Sequence, residues 1–118
     1  MLTRDKAIEA LKVDDKIKQV PIQLFKKNTI LLYVGRCRQS NIVSAKGEGW
    51  VGQKEIFERQ FGQIVNFVLD ESKIYIQPKV GDIVYNEPFC GQLVPFEIEN
   101  EMLYFKILKL DEINLIIK

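Results

Sequence analysis

Short apolar runs separated by polar turns make up most of the chain after residue 21. The runs contain β-branched, aliphatic and aromatic residues, and Pro, Gly, Asn or Asp residues lie between them, which is typical of β-strands. This pattern predicts about six or seven short strands and therefore an all-β fold, either a small β-barrel or a sandwich. The predicted strands are residues 30–34, 63–68, 73–76, 82–85, 102–108 and 113–117.

Two kinds of break divide the predicted strands in the second half of the chain. Pro88, Gly91 and Pro95 predict an irregular, turn-rich segment, and a polar reversal centred near Asn100 follows it. Earlier in the chain, the strands at 63–68 and 73–76 are predicted to form a hairpin around a short polar turn.

The N-terminal residues follow a helical period instead. Thr3 is a suitable N-cap, apolar residues recur on one face of the segment 4–18, and Asp and Lys fill many of the other positions. We expect one short amphipathic helix that packs loosely on the rest of the molecule. The predicted division is an N-terminal extension, residues 1–20, and a β-domain, residues 21–118.

The segment 35–60 fits neither pattern, because it is long, polar and rich in glycine. Loops of this length are uncommon inside compact domains and are generally functional. Two apolar pairs, Ile42-Val43 and Trp50-Val51, interrupt its polar sequence. The simpler alternative is that residues 53–60 form a short helix and that the remainder is an ordinary loop.

Composition limits the chemistry that the chain can carry. Of its 118 residues, 47% are apolar and 28% charged, as in one ordinary globular domain. The net charge of +1 gives no broad field for nucleic acid or an anionic membrane, and the apolar runs are too short to span a bilayer. There is no histidine, so the usual general base is missing. The charged N-terminus lacks the apolar core of a signal peptide, and a cytoplasmic location is expected.

Four sequence motifs, taken in order, resemble the GroES-type co-chaperonins, the lids of bacterial-type chaperonins. FGQIVNFV is similar to a strand of that family, and KVGDIVYN resembles its Val-Gly-Asp strand start. GQLVPFEIENEMLYFKIL resembles the hairpin that follows, and LDEINLII resembles the closing strand. The order of the motifs carries the resemblance. It covers residues 22–118 and implies a small GroES-like β-barrel with a mobile loop at about 35–60.

The resemblance implies that this loop docks onto a GroEL-type chaperonin. Members of the family carry a short apolar triplet in the loop, often preceded by glycine, and the matching sequence here is Asn41-Ile42-Val43-Ser44. Ser44 stands where a third aliphatic residue is expected, and Asn41 where a glycine often lies. Trp50 and Val51 are the other source of apolar contact, so the main anchor stays open between the two pairs.

The resemblance also implies a heptameric ring in which the first strand of each barrel pairs with the last strand of its neighbour. The expected interface residues are Ile30, Leu31, Leu32, Ile113, Leu115, Ile116 and Ile117. Such a lid is not an enzyme: it has no catalytic or metal-binding residues and no cofactor, since the partner chaperonin alone binds ATP. It assists protein folding by enclosing an unfolded client indirectly, without binding nucleic acid or membrane.

Two departures from the family pattern indicate a divergent lid. Residues 69–73 leave room for only a short roof turn, and residues 1–20 have no counterpart in the standard family. A phage-encoded lid that replaces the host's own, and acts in the host cytoplasm, would fit both departures.

Two other classes of function remain open from the residues alone. One is a small nucleic-acid-binding barrel of the OB or SH3-like kind, in which basic side chains surround stacking aromatic rings. The other is an enzyme that uses Cys37 or Cys90, for which no base lies at a recognisable spacing. The residues that would form the nucleic-acid surface are Lys26, Lys27, Arg36, Arg38, Tyr33 and Trp50.

Overall fold

The computed structural model describes residues 2–38, 56, 58–70, 78–88 and 90–117. Nearly half of these residues form one antiparallel sheet, and a short helix, α1 (Arg4–Leu11), precedes it. Short 3-10 helices lie at Asp15–Gln19 and Leu110–Glu112. The six strands are β1 (Thr29–Arg38), β2 (Phe61–Val68), β3 (Ile83–Asn86), β4 (Gln92–Ile98), β5 (Glu101–Lys109) and β6 (Ile113–Ile117).

The strands lie in the order β4-β5-β1-β2-β3-β6, and each neighbouring pair is antiparallel. β1 and β5 share the longest register, which runs from the pair Thr29↔Lys109 to the pair Arg38↔Glu101. β4 and β6 are the two edges, and no pairing among the described residues joins them. The prediction of a mainly β fold is therefore confirmed, while the strand pairs form an open sheet and not a closed barrel.

The predicted strands correspond to five of the six observed ones. The strand expected at 30–34 is longer than predicted and continues to Arg38, and the strand expected at 73–76 lies outside the described residues. The prediction of an irregular segment around Pro95 was wrong, because this residue lies within β4. Proline has no N–H to donate, and an edge strand tolerates it since one side of the strand has no ladder to complete.

A two-residue turn joins β4 to β5 and confirms the reversal predicted near Asn100. Glu99 and Asn100 both have positive φ values, of 48° and 66°. Such a pair of left-handed residues gives a turn whose twist matches that of the flanking strands. The pairing of Ile98 with Glu101 follows directly from it.

β1 is buried on both faces, and an apolar core lies on each face. Successive side chains of the strand point alternately into one core and the other. Leu31 and Tyr33 point into one core, and Ile30, Leu32 and Val34 into the other. We call them the extension-side core and the loop-side core. The buried members of the extension-side core are Ala7, Leu11, Ile17, Leu31, Tyr33, Ile83, Leu103 and Phe105. Those of the loop-side core are Ile30, Leu32, Val34, Ile56, Ile64, Val84, Tyr104 and Leu108.

The N-terminal extension is part of the core rather than a loose attachment, so that expectation was wrong. Ala7 and Leu11, one helical turn apart, have no exposed surface, and Ile17 retains only 4%. The helix is also shorter than the predicted segment 4–18, because Lys12 adopts a left-handed conformation that ends it. By covering one face of β1, the extension allows that strand to be apolar at every position from 30 to 34.

Candidate functional site

The base of the predicted loop is the first candidate region, and hydrogen bonds hold its two ends together. Arg59, on the returning side, donates from Nη1 to the carbonyl oxygen of Val34 at 2.8 Å. Lys106 donates from Nζ to the carbonyl oxygen of Arg59 at 3.2 Å. The side chain of Ile56 is buried in the loop-side core. Residues 35–38 of the predicted loop thus belong to β1, and the contacts of Ile56 and Arg59 hold its returning end against the sheet.

Gly35 makes this close approach possible. Its φ of 134° is one that side-chain-bearing residues rarely adopt. A Cβ atom here would lie 2.8 Å from Nη1 of Arg59 and 3.3 Å from Cγ1 of Ile56. The register between β1 and β5 also shifts between Tyr33 and Gly35, which is a bulge at the point where the strand approaches the loop.

The residues proposed to contact a partner lie outside the described residues. They are Asn41, Ile42, Val43, Ser44, Trp50 and Val51. The structure describes the base that would carry them.

The sheet order contradicts the part of the predicted subunit interface that lies in β1. Ile30, Leu31 and Leu32 are at most 1% exposed, and β1 already has β2 and β5 as neighbours within the same chain. The expectation that β1 offers a strand edge to another subunit was therefore wrong, because a fully paired central strand has no free backbone groups.

The other half of the predicted interface does lie at an edge. β6 pairs with β3 on one side, and its other side has no neighbour among the described strands. Leu115 is 50% exposed, whereas Ile113 and Ile116 lean on the loop-side core and Ile117 on the extension-side core. We call the unpaired side of Ile113–Ile117 the open edge.

An extended segment that precedes β1 is a further candidate which the strand prediction missed. From Pro21 to Phe25 the side chains alternate between exposed and half-buried, which is the period of a β-strand. Ile22 and Leu24 pack against the extension-side core, while Phe25 is 88% exposed. Among the described residues this segment, 20–25, joins no sheet. In the sequence, the alternation of apolar and polar residues at Ile22, Gln23 and Leu24 indicates this extended segment.

Two of the residues proposed for a nucleic-acid surface are occupied elsewhere. Tyr33 is fully buried, and its hydroxyl donates to the carbonyl oxygen of Leu11 at 2.6 Å. Arg36 donates from Nε to that hydroxyl at 2.9 Å, and its side chain is 6% exposed. Neither side chain is available for stacking on a base or pairing with a phosphate. Lys26 and Lys27 precede β1, whereas Arg38 ends it, so the basic residues do not converge.

Arg36 instead fastens the extension to the sheet. Its guanidinium binds Asp14 of the extension through two contacts, at 2.7 and 2.9 Å, and Glu101 of β5 at 2.9 Å. Lys16 adds contacts to Glu101 at 3.5 Å and to Glu99 at 3.4 Å. We call Asp14, Lys16, Arg36 and Glu101 the extension clamp.

The electrostatics of the extension clamp favour its charged form. The hydrogen bond from Arg36 is the main reason that the pKa of Asp14 is lowered. For Glu101 burial acts to raise the pKa, but the hydrogen bond and charge of Arg36 outweigh it, and the net shift is downward. For the Tyr33 hydroxyl, in contrast, burial is the largest effect, and the net shift of its pKa is upward. Both carboxylates therefore stabilise the folded state in their ionised form.

A buried polar cluster lies beneath the base of the loop. Lys106 has no exposed surface, and this burial lowers its pKa. Nearby, Asn86 donates from Nδ2 to the carbonyl oxygen of Glu87 at 2.9 Å and to Sγ of Cys90 at 3.5 Å. Cys37 and Cys90 are both half-buried, and they form no disulfide. Within the described ranges, no three carboxylate or thiol side chains come together as a metal site.

The chain was compared with protein-family models, with curated proteins and with solved structures, and nothing matches it. For the part of the chain that the structure describes, no helix is long and apolar enough to cross a membrane.

Proposed function

We propose that this protein is a divergent co-chaperonin, a ring-forming lid that binds a GroEL-type chaperonin through its loop and assists ATP-dependent folding. The observation that supports it best is the base of the loop, where Arg59 and Lys106 tie both ends of the loop to the sheet. Binding residues are commonly carried by loops whose position is set by the scaffold, and the hydrogen-bonded base would set the position of this one. The order of the strand motifs along the chain agrees with this role.

The proposed loop motif is suited to weak, repeated binding. Burying Ile42 and Val43 against a partner would contribute about 2 kcal/mol each. Ordering the loop costs several kcal/mol, so that one copy binds weakly. In a ring, each bound loop raises the effective concentration of the next, and the weak contacts multiply. Such a lid binds firmly as a whole and is still released when the partner changes state.

Assembly of the ring is proposed to use the open edge of β6 and the extended segment before β1. Both are largely apolar. Among the described residues, β6 pairs with β3 alone, and residues 20–25 join no sheet. β4, the opposite edge, carries Pro95 and is less able to accept another strand. If residues 20–25 of one copy add to β6 of the next, Phe25 and Leu115 become buried. This pairing is head-to-tail, which gives a ring when the rotation between neighbours closes and a filament when it does not, and we propose a closed ring of seven members.

Co-migration with a bacterial-type chaperonin tests the proposed function. The protein should elute with the chaperonin on size exclusion when ATP is present, and separately when it is absent. Ile42→Ser and Val43→Ser should abolish co-migration while the mass of the free oligomer stays unchanged. Trp50→Ser identifies the second anchor if it also weakens binding. Failure to co-migrate under any nucleotide condition, by an intact oligomer, would contradict the proposal.

A further inference from the structure

We propose that a cleft at the start of β1 binds phosphate groups, as a free polyphosphate or as the phosphate chain of a nucleotide. Three lysines line this cleft: Lys26 and Lys27 from the turn before β1, and Lys109 from the end of β5. The inference does not depend on the role as a lid.

The strand register brings the three lysines together. Thr29 pairs with Lys109, so the turn that carries Lys26 and Lys27 lies beside the end of β5. The hydroxyl of Thr29 donates to the carbonyl oxygen of Lys26 at 2.6 Å. The backbone N–H of Leu110 donates to the carbonyl oxygen of Asn28 at 2.8 Å and links the two sides. These hydrogen bonds therefore fix the backbone positions from which the three lysine side chains extend.

The charges in the cleft are not balanced within the described residues. None of the three lysines has a carboxylate within ion-pair distance there, in contrast to Lys16 and Arg36, which bind two carboxylates each. Among the described lining residues, Asp111 is the acidic one, against three lysines. The carboxylate of Glu112 accepts a hydrogen bond from the backbone N–H of Lys109 at 2.9 Å, so it lies beside the cleft without lining it. The described lining thus carries a net positive charge, which Glu112 reduces but does not cancel.

The size of the cleft and the nature of its donors indicate the ligand. Its volume is about 440 Å³, which is enough for a short chain of phosphate groups. Lysine ammonium groups bind phosphate as point charges, each with three donors and no required plane of approach. Among the described residues that line it, the cleft presents no aromatic ring for stacking on a base, since these are the lysines with Asn28, Thr29, Leu110 and Asp111. Recognition would therefore be directed at the phosphates.

The cleft is remote from the loop. β1 runs from Thr29 to Arg38, and at about 3.3 Å per residue its two ends lie roughly 30 Å apart. Removing charge from the cleft should therefore leave chaperonin binding unchanged, so that failure of one proposal is distinguishable from failure of the other.

Calorimetric titration with sodium tripolyphosphate tests the site at low ionic strength. We expect saturable binding that weakens at least about tenfold in the double variant Lys27→Gln/Lys109→Gln, because the loss of even one charge-assisted hydrogen bond can weaken binding by about that factor. The control is Lys6→Gln/Lys79→Gln, which removes the same charge from exposed positions outside the cleft and should bind as the wild type does. Asp111→Asn should tighten binding, because it removes the acidic group.

Further titrations distinguish the sources of the phosphate. Equal affinities for tripolyphosphate and ATP would identify the phosphate chain alone as the ligand, and a higher affinity for ATP would identify a nucleotide. Equal weakening in the cleft and control variants would overturn the proposal, as would the absence of saturable binding. Tighter binding of a single-stranded oligonucleotide, lost in the cleft variant, would overturn it in favour of a nucleic-acid surface.

Discussion

The N-terminal extension and the open edge of β6 lie on the same sheet, but one is sealed and the other is exposed. The extension buries Ala7 and Leu11 completely and is fastened by the contacts of Arg36. The open edge leaves Leu115 half exposed, with no strand beside it among the described residues. Unpaired backbone groups along such an edge can template the addition of another strand.

If copies of the chain pair at the open edge, as proposed, the difference separates residues that stabilise the fold from residues that contact another copy. In the extension, an apolar side chain should matter for the free energy of unfolding. At the open edge, a side chain of the same type should matter for assembly and hardly for folding. Substitutions on the two sides of the molecule make this distinction measurable.

The largest expected effect is at Leu11. Leu11→Ala removes buried methyl groups and leaves a cavity, and should lower the free energy of unfolding by about 3 kcal/mol. Leu115→Ala, the same change at the half-exposed position, should cost less than about 0.5 kcal/mol. Urea unfolding of both variants, under conditions where the oligomer is dissociated, gives the comparison. Equal losses would mean that the extension is not sealed onto the sheet.

A smaller effect is expected at Arg36. Arg36→Met keeps the apolar stem but leaves Asp14, Glu101 and the hydroxyl of Tyr33 without their shared donor. Because Asp14 is partly exposed to water, the loss should be moderate, about 1–3 kcal/mol of unfolding free energy. Protease digestion should then cut first within the extension. Arg4→Met is the matched control, since Arg4 forms no ion pair among the described residues.

The smallest effect is the dependence of stability on pH. The pKa values of both Asp14 and Glu101 are lowered in the folded protein. For Asp14 the hydrogen bond from Arg36 is the largest cause. For Glu101 burial acts to raise the pKa, and the hydrogen bond and charge of Arg36 outweigh it. Their stabilising contribution is therefore complete above the ordinary carboxyl pKa and is lost as the pH falls through the lowered values, below about pH 4. Unfolding curves at several pH values should show this loss. In Arg36→Met the slope should be flatter, and an identical slope would contradict the assignment.

The sequence predicted the sheet well because the β-pattern is local. Alternating and β-branched runs identified β2, β3, β5 and β6, and the reversal at Asn100 follows from turn chemistry. β4 was missed because Pro95 breaks strands in general, and its tolerance depends on the strand lying at an edge.

The candidate site could be predicted less completely, because neighbours in the sheet are set by long-range pairing. Nothing local in the apolar run at 30–34 shows that β1 is central and not an edge. Its uninterrupted apolar pattern did indicate burial on both faces. The burial of Tyr33 and Arg36 follows from the docking of the extension, which helical periodicity alone predicted as a loose attachment.

The mass of the protein in solution tests the central claim most directly, that the open edge is the place where copies of the chain pair. Sedimentation velocity at micromolar concentration should give about seven times the mass of one chain for the wild type, and the monomer mass for Leu115→Asp with its sheet intact by circular dichroism. Val80→Asp, at a 64% exposed position outside β6, should leave the oligomer unchanged. A wild-type protein that is monomeric, or a Leu115→Asp variant that assembles as the wild type does, would contradict the account.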